Sequence, residues 1–301
     1  MTEGGIAGLV GNTPVVELKK LTAGLPSKVL VKIEGNNPSG SVKDRAALSM
    51  LRDAEARGLI FPGGTIVEPT SGNMGISLSM MAAAEGYRAV IVMPDTMSAE
   101  RISMMRAYGA EVVLTPGADG MSGSIEKADE IAEKENGLVL RQFSNPANIR
   151  AHVTGTAKEI LEQVPDVYAI VAGIGTGGTA SGIGEGLSLY GSKAFVLGVE
   201  PAESPMITGG FHGKHGIQGI GANFVPENYR REHVRAVVTV STDDAMRTAS
   251  MLAKEEGIFA GISSGAAVRA ALELAAEVKG KRILAILPDR GDRYISTGMF
   301  E

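Results

Sequence analysis

The sequence has no cysteine among its 301 residues, which excludes a disulfide framework, a thiolate zinc site and a cysteine nucleophile. The net charge of −5 leaves no excess of basic residues for a nucleic-acid-binding surface. No apolar run approaches the roughly 20 residues that span a bilayer, so we expect no membrane association. Residues 1–5 lack the charged and apolar regions of a signal peptide, so we expect a cytoplasmic protein.

Histidine is also scarce, and its positions give no indication of a metal site. The four histidines lack metal-ligand spacing, and so do the carboxylates, so we expect no bound metal. No Ser-His-Asp arrangement stands out either. Glycine, in contrast, is abundant at 40 residues, which is typical of chains with many tight strand-to-helix turns.

The hydrophobic pattern predicts an α/β protein. Short, continuous apolar runs alternate with helical patterns, which favours mostly parallel sheets covered by helices on both faces. Strands are predicted over residues 15–18, 29–33, 65–68, 89–93, 111–114, 138–140, 168–172, 195–199, 236–240 and 282–287. Helices are predicted to follow Lys43 and over 73–85, 99–108, 124–135, 149–164, 179–190, 242–256 and 266–278.

The length of the chain is sufficient for two such sheets, each in its own domain. We expect the domains to meet near residues 143–149, with a cleft between them. No internal repeat is evident. The segment 201–233 is too long and irregular for an idle loop, so we expect it to line a site or an interface.

Residues 37–45 (Asn-Pro-Ser-Gly-Ser-Val-Lys-Asp-Arg) are the first candidate for function. Ser41 is predicted as the N-cap of the following helix, with Asp44 completing a variant capping box. Lys43 then lies in the first helical turn, where the partial positive charge of the helix end disfavours a cation. It is either a solvated surface lysine or one whose charge is removed, as in a Schiff base.

Residues 68–75 (Glu-Pro-Thr-Ser-Gly-Asn-Met-Gly) follow a predicted strand and open a helix. Free N–H groups at a helix start, beside hydroxyls and an amide, form a cradle for a carboxylate or a phosphate. Simple N-capping by Thr70 or Ser71 is the alternative.

Residues 172–179 (Ala-Gly-Ile-Gly-Thr-Gly-Gly-Thr) form a second strand-to-helix turn, and its glycine density is typical of phosphate binding. Gly173, Gly175 and Gly178 also match the dinucleotide pattern G-x-G-x-x-G. Glu200, which ends the next predicted strand, could then be a ribose-binding acid. A nicotinamide-binding protein therefore stays open as an alternative at this point.

Two further segments carry polar residues at element ends. The serines within residues 260–266 could cap the following helix. Alternatively, the Ser263 hydroxyl could face the ring of a ligand. Gln142 lies just past a strand end, where ligands collect in α/β folds. Its alternative role is an amide that stabilises the turn.

Five motifs in order resemble the cysteine synthases, the O-acetylserine sulfhydrylase family of fold-type II pyridoxal phosphate enzymes. The resemblance runs from residues 11–14 to 294–297, almost the whole chain. The motifs are 37–45, Pro-Thr-Ser-Gly-Asn-Met-Gly at 69–75, Gln-Phe-Ser-Asn-Pro-Ala-Asn at 142–148, Gly-Thr-Gly-Gly-Thr at 175–179 and Gly-Ile-Ser-Ser-Gly-Ala-Ala at 261–267.

The resemblance implies a fold and a set of roles. The fold is the tryptophan synthase β-like type, with pyridoxal 5′-phosphate in the cleft. An N-terminal substrate-loop domain would comprise residues 1–12 and 36–146, and a C-terminal cofactor-phosphate domain residues 13–35 and 147–301. Lys43 would form the Schiff base, Asn73 would bind the ring oxygen and Ser263 the pyridine nitrogen. The cofactor phosphate would bind Gly175, Thr176, Gly177, Gly178 and Thr179. The substrate carboxylate would bind Thr70, Ser71, Gly72, Asn73 and Gln142.

The implied reaction is a β-replacement. O-acetylserine and sulfide give cysteine and acetate through an aminoacrylate intermediate, with Lys43 as general base. Related enzymes that use O-phosphoserine, thiosulfate or homocysteine (O-phosphoserine sulfhydrylase, cystathionine β-synthase) are alternatives. The motif at Gln142 and residues 217–223 lean against a serine/threonine dehydratase. A nicotinamide-binding or non-enzymatic protein would leave Lys43 unexplained.

Two departures from the family pattern concern ligands and partners. Met74 replaces the usual threonine, which can reshape the pocket above the cofactor. Some members bind the C-terminal tail of serine acetyltransferase, but the basic residue usual before Ile-Gln-Gly-Ile-Gly is Gly216 here, which argues against this partner. The resemblance also implies a homodimer.

Overall fold

The computed structural model describes residues 4–70 and 72–300, which form ten β-strands and nine α-helices. The strands are β1 (Val15–Glu17), β2 (Lys28–Ile33), β3 (Thr65–Pro69), β4 (Arg88–Pro94), β5 (Glu111–Thr115), β6 (Leu138–Val139), β7 (Ala169–Gly173), β8 (Phe195–Pro201), β9 (Ala236–Val240) and β10 (Arg282–Leu287). The helices are α1 (Lys43–Ala56), α2 (Asn73–Glu85), α3 (Ala99–Ala107), α4 (Gly120–Glu135), α5 (Pro146–Ala151), α6 (Ala157–Gln163), α7 (Gly178–Leu189), α8 (Thr242–Glu256) and α9 (Ile262–Glu277).

The strands form two sheets, which confirms the predicted fold class. The six-stranded sheet has the order β1-β2-β10-β7-β8-β9, and only β1 runs antiparallel to its neighbour. The four-stranded sheet has the order β5-β4-β3-β6 and is parallel throughout. Strand β2 pairs with β1 on one side and with the C-terminal strand β10 on the other. The predicted domain boundaries stay a prediction.

Burial on both faces explains why the central strands read as continuous apolar runs. In β10, Ile283 to Leu287 are all buried, and in β4 the same holds from Ala89 to Pro94. Helices cover both faces of the sheets: α9 and α7 pack on opposite sides of β7, and α2 and α4 on opposite sides of β4. The hydrophobic clusters on the two sides of each sheet therefore form around the same strands that the sequence pattern predicts.

The start of α1 differs from the prediction. Its N-cap residue is Val42 and not Ser41, and the Val42 side chain forms no cap, although Ser41 Oγ accepts a long hydrogen bond from the Lys43 N–H (3.3 Å). The predicted N-cap position and the Asp44 capping box are therefore wrong. The Asp44 carboxylate is buried and instead accepts hydrogen bonds from the Ser39 N–H (2.7 Å), the Ser39 hydroxyl and the Ser77 hydroxyl (2.6 Å). Asp44 thus closes the loop before the helix and ties it to α2.

Two further helices have glycine as the N-cap residue, at positions where the sequence left a serine or threonine cap as an alternative. The N-cap residues are Gly72 for α2 and Gly261 for α9, and neither helix start has a side-chain cap among the described residues. At α3, in contrast, a side chain caps the helix, because the Ser98 hydroxyl accepts from the Arg101 N–H. Uncapped helix starts keep their N–H groups available for other acceptors.

A buried ion cluster lies behind α1 and joins it to β2 and α6. Arg45 binds Glu34 (Nε to Oε2, 2.7 Å) and Glu159 (Nη1 to Oε1, 2.6 Å), and Lys32 binds Glu159 (Nζ to Oε2, 2.8 Å). Lys32 and Glu34 are fully buried. Burial alone would raise the pKa of Glu34, but the Arg45 charge outweighs it, so this pKa lies below its ordinary 4.5. Burial is likewise overcome at Glu159, where bonding and charge from Arg45 lower the pKa to about 2.

Replacing Glu34 with Gln is expected to lower the free energy of unfolding by about 3 kcal/mol at pH 7, because it leaves Arg45 buried and half-paired. A carboxyl group whose pKa is lower in the folded state than in the unfolded state stabilises the fold at pH values above its unfolded-state pKa. That stabilisation is lost as the pH falls through the folded-state pKa. The difference from wild type should therefore shrink below pH 4.5. Urea unfolding at several pH values measures this difference in the free energy of unfolding.

Glu17→Gln is the control, because it breaks an exposed ion pair with Lys28. It should lower the free energy of unfolding by less than about 1 kcal/mol. Equal losses in Glu34→Gln and Glu17→Gln would contradict this account.

Candidate active site

Lys43 occupies the first position of α1 and lies at the junction of the two sheets. The loop before it is fastened to the end of β10, because the Val42 N–H donates to Pro288 O (2.8 Å) and Ser41 bridges to Asp289. Lys43 forms no ion pair with any described residue and is half-buried. Burial lowers the pKa of its amine, and the nearby Asp289 charge opposes that shift. A neutral amine, which can act as nucleophile or base, is thus favoured relative to an exposed lysine.

Lys43 lines a small cavity. The glycine-rich turn between β7 and α7 forms the opposite wall, so the structure brings together two segments that are 130 residues apart in the sequence, from 43 to 173. The other lining residues come from the irregular segment before β9 and from the end of β10. The wall includes Val42, Gly173, Gly175, Thr176, Gly177, Thr179, Gly219, Ile220 and Pro288.

The glycine-rich turn has no room for side chains. Gly177, the N-cap of α7, has φ +85°, and a Cβ there would lie 2.6 Å from the Tyr229 nitrogen. A Cβ at Gly175 would collide with Gly219 O, and one at Gly178 with the Asn148 side chain. Gly177 has no side chain to cap α7, and the Gly178 N–H makes only a long hydrogen bond to Thr176 Oγ1 (3.4 Å). The turn therefore presents weakly engaged backbone N–H groups at a helix start, an arrangement suited to a phosphate group.

The turn between β3 and α2 also leads into an uncapped helix. Thr70 is buried, and its hydroxyl accepts a long hydrogen bond from the Gly72 N–H (3.4 Å). Asn73 donates through Nδ2 to Asp289 Oδ2 (2.7 Å), while its Oδ1 is buried without a hydrogen-bond partner among the described residues. Ser71, also predicted here, lies outside the described residues. The orphaned Asn73 oxygen indicates that a ligand donor or an ordered water belongs beside it.

Ser263 and Gln142 are the remaining predicted site residues. Ser263 is buried in the first turn of α9, and its Oγ is 4.0 Å from where a Cβ on Gly219 would lie, so it sits next to the cavity wall. Gln142 is buried on the loop after β6. Neither side chain has a hydrogen-bond partner within the described part of the chain, which leaves both available to a ligand.

Asp289, which sequence reasoning did not single out, joins these elements. It is 2% exposed, and its Oδ2 accepts from Asn73 and from the Tyr294 hydroxyl (2.7 Å). Its Oδ1 has no hydrogen-bond partner among the described residues. Burial and the Asp289 charge both raise the pKa of Tyr294, which keeps the phenol protonated as a donor. The one signal in the sequence was position: Asp289 follows directly after a buried strand.

Known proteins match this chain along almost its whole length. A family model described as "Pyridoxal-phosphate dependent enzyme" matches residues 6–289. A cysteine synthase from Staphylococcus aureus (strain Mu50 / ATCC 700699) is 47% identical over 298 residues, which cover 98% of this chain and 96% of the relative. The chain belongs to the cysteine synthase family of pyridoxal-phosphate dependent enzymes.

Solved structures of this family share the fold. A cysteine synthase (OASS) from Entamoeba histolytica superposes with a TM-score of 0.95 at 41% identity, covering 99% of this chain and 90% of that one. An O-ureido-L-serine synthase superposes with a TM-score of 0.94 at 47% identity, covering 98% of this chain and 94% of that one. The predicted resemblance to cysteine synthases is therefore confirmed.

The residues present fit the cofactor of this family. A lysine and a glycine-rich helix start line one cavity, and the buried Ser263 hydroxyl lies beside its wall at Gly219, which suits the aldehyde, phosphate and ring of pyridoxal 5′-phosphate. The nicotinamide alternative is wrong for this family. Its proposed ribose acid, Glu200, is engaged elsewhere: the carboxylate accepts from the N–H groups of Ile207 (2.8 Å) and Thr208 (2.9 Å).

In the part of the chain that the structure describes, no helix has both the length and the apolar character needed to cross a membrane. Over the same residues, no group of three or more His, Cys, Asp or Glu side chains is arranged to hold a metal ion.

Proposed function

We propose that this protein converts O-acetylserine and sulfide to cysteine and acetate, with pyridoxal 5′-phosphate bound in the cavity beside Lys43. The observation that carries the proposal is that Lys43 and the glycine-rich start of α7 line one cavity. Bound pyridoxal 5′-phosphate supplies an electron-withdrawing ring that acidifies the α-carbon of an attached amino acid.

Lys43 has two proposed tasks. Its Nζ holds the cofactor until the substrate amine takes that place, and the released Nζ then takes the proton from the substrate α-carbon. After acetate has left and sulfide has bonded to the β-carbon, the same Nζ returns the proton. The burial that lowers the pKa of Lys43 favours the neutral amine that both tasks require.

The remaining site residues bind and orient. The turn from Gly175 to Thr179 holds the cofactor phosphate through backbone N–H groups. Ser263 faces the ring nitrogen with a neutral hydroxyl, which limits ring protonation and favours elimination chemistry over transamination. Asn73 faces the ring oxygen.

A second set binds the substrate carboxylate and shields the reacting atoms from water. It consists of Thr70, Ser71, Gly72, Asn73 and Gln142. Hydroxyl, amide and backbone N–H donors at an uncapped helix start suit a carboxylate. Closure of this turn over the substrate is part of the proposal.

The proposal also covers the localisation, the oligomeric state and the partners of the enzyme. The substrates are small molecules, and the family resemblance supports a cytoplasmic homodimer. Serine acetyltransferase is disfavoured as a partner by Gly216, where a Cβ would lie 2.6 Å from the Thr242 methyl group.

The proposal is tested by absorption spectroscopy of the purified protein. We expect a yellow cofactor band that shifts when O-acetylserine is added and returns when sulfide follows, with cysteine and acetate as products. A cofactor band that does not change when O-acetylserine is added would indicate that the substrate is O-phosphoserine, serine or threonine instead. A colourless protein that pyridoxal 5′-phosphate cannot reconstitute would contradict the proposal.

The nucleophile is tested by product analysis. Because one structural neighbour is an O-ureido-L-serine synthase, mass spectrometry should compare sulfide, thiosulfate, homocysteine and hydroxyurea at equal concentration. We expect sulfide to give the highest kcat/KM; a higher value for another nucleophile would replace sulfide in the proposal.

A further inference from the structure

Glu68 is a buried acid at the end of β3, two residues before Thr70, and the proposed mechanism does not use it. It is 1% exposed, and both of its carboxylate oxygens bind the backbone of one loop. Oε2 accepts from the N–H groups of Leu140 and Arg141 and Oε1 from that of Gln142, each at 3.1 Å. A single carboxylate therefore fixes three consecutive N–H groups of the loop that carries Gln142.

The carbonyl side of Gln142 is fixed as well. Its backbone oxygen accepts from Asn148 Nδ2 (2.8 Å) and from Asn228 Nδ2 (2.9 Å). Asn148 Nδ2 also reaches Thr176 Oγ1 (3.0 Å), on the proposed phosphate turn. The main chain of Gln142 is thus immobilised on both sides, while its side-chain amide has no partner among the described residues. A fixed backbone that presents a free buried amide is suited to binding a ligand with little ordering cost.

The loop that Glu68 binds has a strained backbone. Arg141 has φ +57°, the left-handed region that a non-glycine residue rarely adopts. Its side chain is exposed, and among the described residues it pairs only with Asp129 (3.0 Å) at the surface, so that side chain does not explain the strained backbone. The left-handed turn lets successive N–H groups converge on one anion, and such strain persists only when its surroundings hold it.

Burial raises the pKa of Glu68 to about 7, and the three N–H donors oppose that shift. The donors thus favour the ionised carboxylate, the form that can accept at both oxygens.

We propose that Glu68 is a positioning residue for substrate binding. By fixing the main chain at Gln142, it holds the Gln142 amide in register with the turn that starts at Thr70, so that both meet the same substrate carboxylate. This inference rests on the proposed function, because it takes the substrate contact of Gln142 from there.

The variant Glu68→Gln tests the inference with a nearly isosteric side chain. The amide oxygen of the new glutamine can still accept from the N–H groups of Leu140 and Arg141. Its NH₂ group takes the place of the oxygen that accepts from the Gln142 N–H, so two donors then face each other. We expect KM for O-acetylserine to rise about tenfold or more, with kcat within about threefold of wild type and an unchanged cofactor band. Amide hydrogen exchange at residues 140–142 should accelerate.

Glu200 provides a matched control. It follows valine and precedes proline at the end of β8, as Glu68 does in β3, and it is equally buried. Its carboxylate also holds backbone N–H groups, those of Ile207 and Thr208. Glu200→Gln should lower the melting temperature about as much as Glu68→Gln and leave KM unchanged within about twofold. A KM rise in both variants would indicate general destabilisation and overturn the inference.

A double-mutant cycle separates this inference from the proposed function. If Gln142→Ala raises KM, and Glu68→Gln raises KM in the wild type but less than about twofold in that background, Glu68 acts through Gln142. If Gln142→Ala raises KM and Glu68→Gln does not, the inference fails while the proposed function stands. If Gln142→Ala has the wild-type KM, the substrate contact of Gln142 and this inference both fail. Multiplicative effects in the double variant also overturn the inference.

Discussion

Replacing Lys43 with alanine is expected to lower kcat by at least about 10³-fold while pyridoxal 5′-phosphate still binds. The loss follows because one amine both holds the cofactor and moves the α-proton, and positioned general bases contribute about 10² to 10⁴. Binding should persist because the glycine-rich start of α7 and Ser263 do not involve Lys43. Steady-state kinetics and the absorption spectrum of the variant measure the two effects separately.

The covalent role of Lys43 has its own measurement. Borohydride reduction of the wild-type holoenzyme, followed by peptide mapping, should place the cofactor mass on the peptide that contains Lys43. Lys127→Ala is a suitable control, because Lys127 is exposed on α4 and pairs only with Glu130; it should retain full activity and labelling. Label on another lysine, or turnover of Lys43→Ala within tenfold of wild type, would contradict the assignment.

Replacing Gly177 with alanine is expected to weaken cofactor binding by about 100-fold or more. The new Cβ would require a left-handed backbone at φ +85° and would lie 2.6 Å from the Tyr229 nitrogen, so the turn must move. Its N–H groups would then no longer converge on the phosphate. Titration of the cofactor-depleted protein with pyridoxal 5′-phosphate measures the dissociation constant.

Gly191→Ala is the matched control for this effect. Gly191 follows α7 and also has a positive φ, +71°, but a Cβ there meets nothing within 4 Å. It should lower stability by about 1 kcal/mol through backbone strain and leave cofactor affinity unchanged. Wild-type affinity in Gly177→Ala would show that this turn does not bind the phosphate.

The parallel sheets were predictable because their central strands are buried on both faces, as in β4 and β10. The helix predicted over 149–164 was not fully predictable. It consists of α5, a π-helical segment at His152–Thr156 and α6. The His152 ring contacts Thr156 Oγ1 (2.9 Å) and Thr179 Oγ1 (3.2 Å), so packing against α7 accompanies the wider turn. Such a tertiary contact leaves no periodic signal in the sequence.

The candidate site likewise contains residues that were predictable from the sequence and residues that were not. Lys43 and the glycine turn were predictable because helix starts that follow strands carry recognisable residue types. Asp289 and Glu68 were not, because a single acid after an apolar run has no distinguishing pattern. Their significance arises only when the fold brings the end of β10 next to Asn73, or the end of β3 next to the loop at Gln142. The roles of all these residues stay predictions until the variants are measured.

The order of strands in the larger sheet has a consequence for how the chain folds during synthesis. The four-stranded sheet can form once the ribosome has passed Val139, because all of its strands precede that point. In the six-stranded sheet, β10 lies between β2 and β7, yet it is translated after every other strand. Until Leu287 emerges, β2 and β7 each expose an unpaired hydrophobic edge, the kind of surface that promotes aggregation and chaperone binding. Completion of the larger domain is therefore a late, long-range event, and we expect it to limit the folding rate.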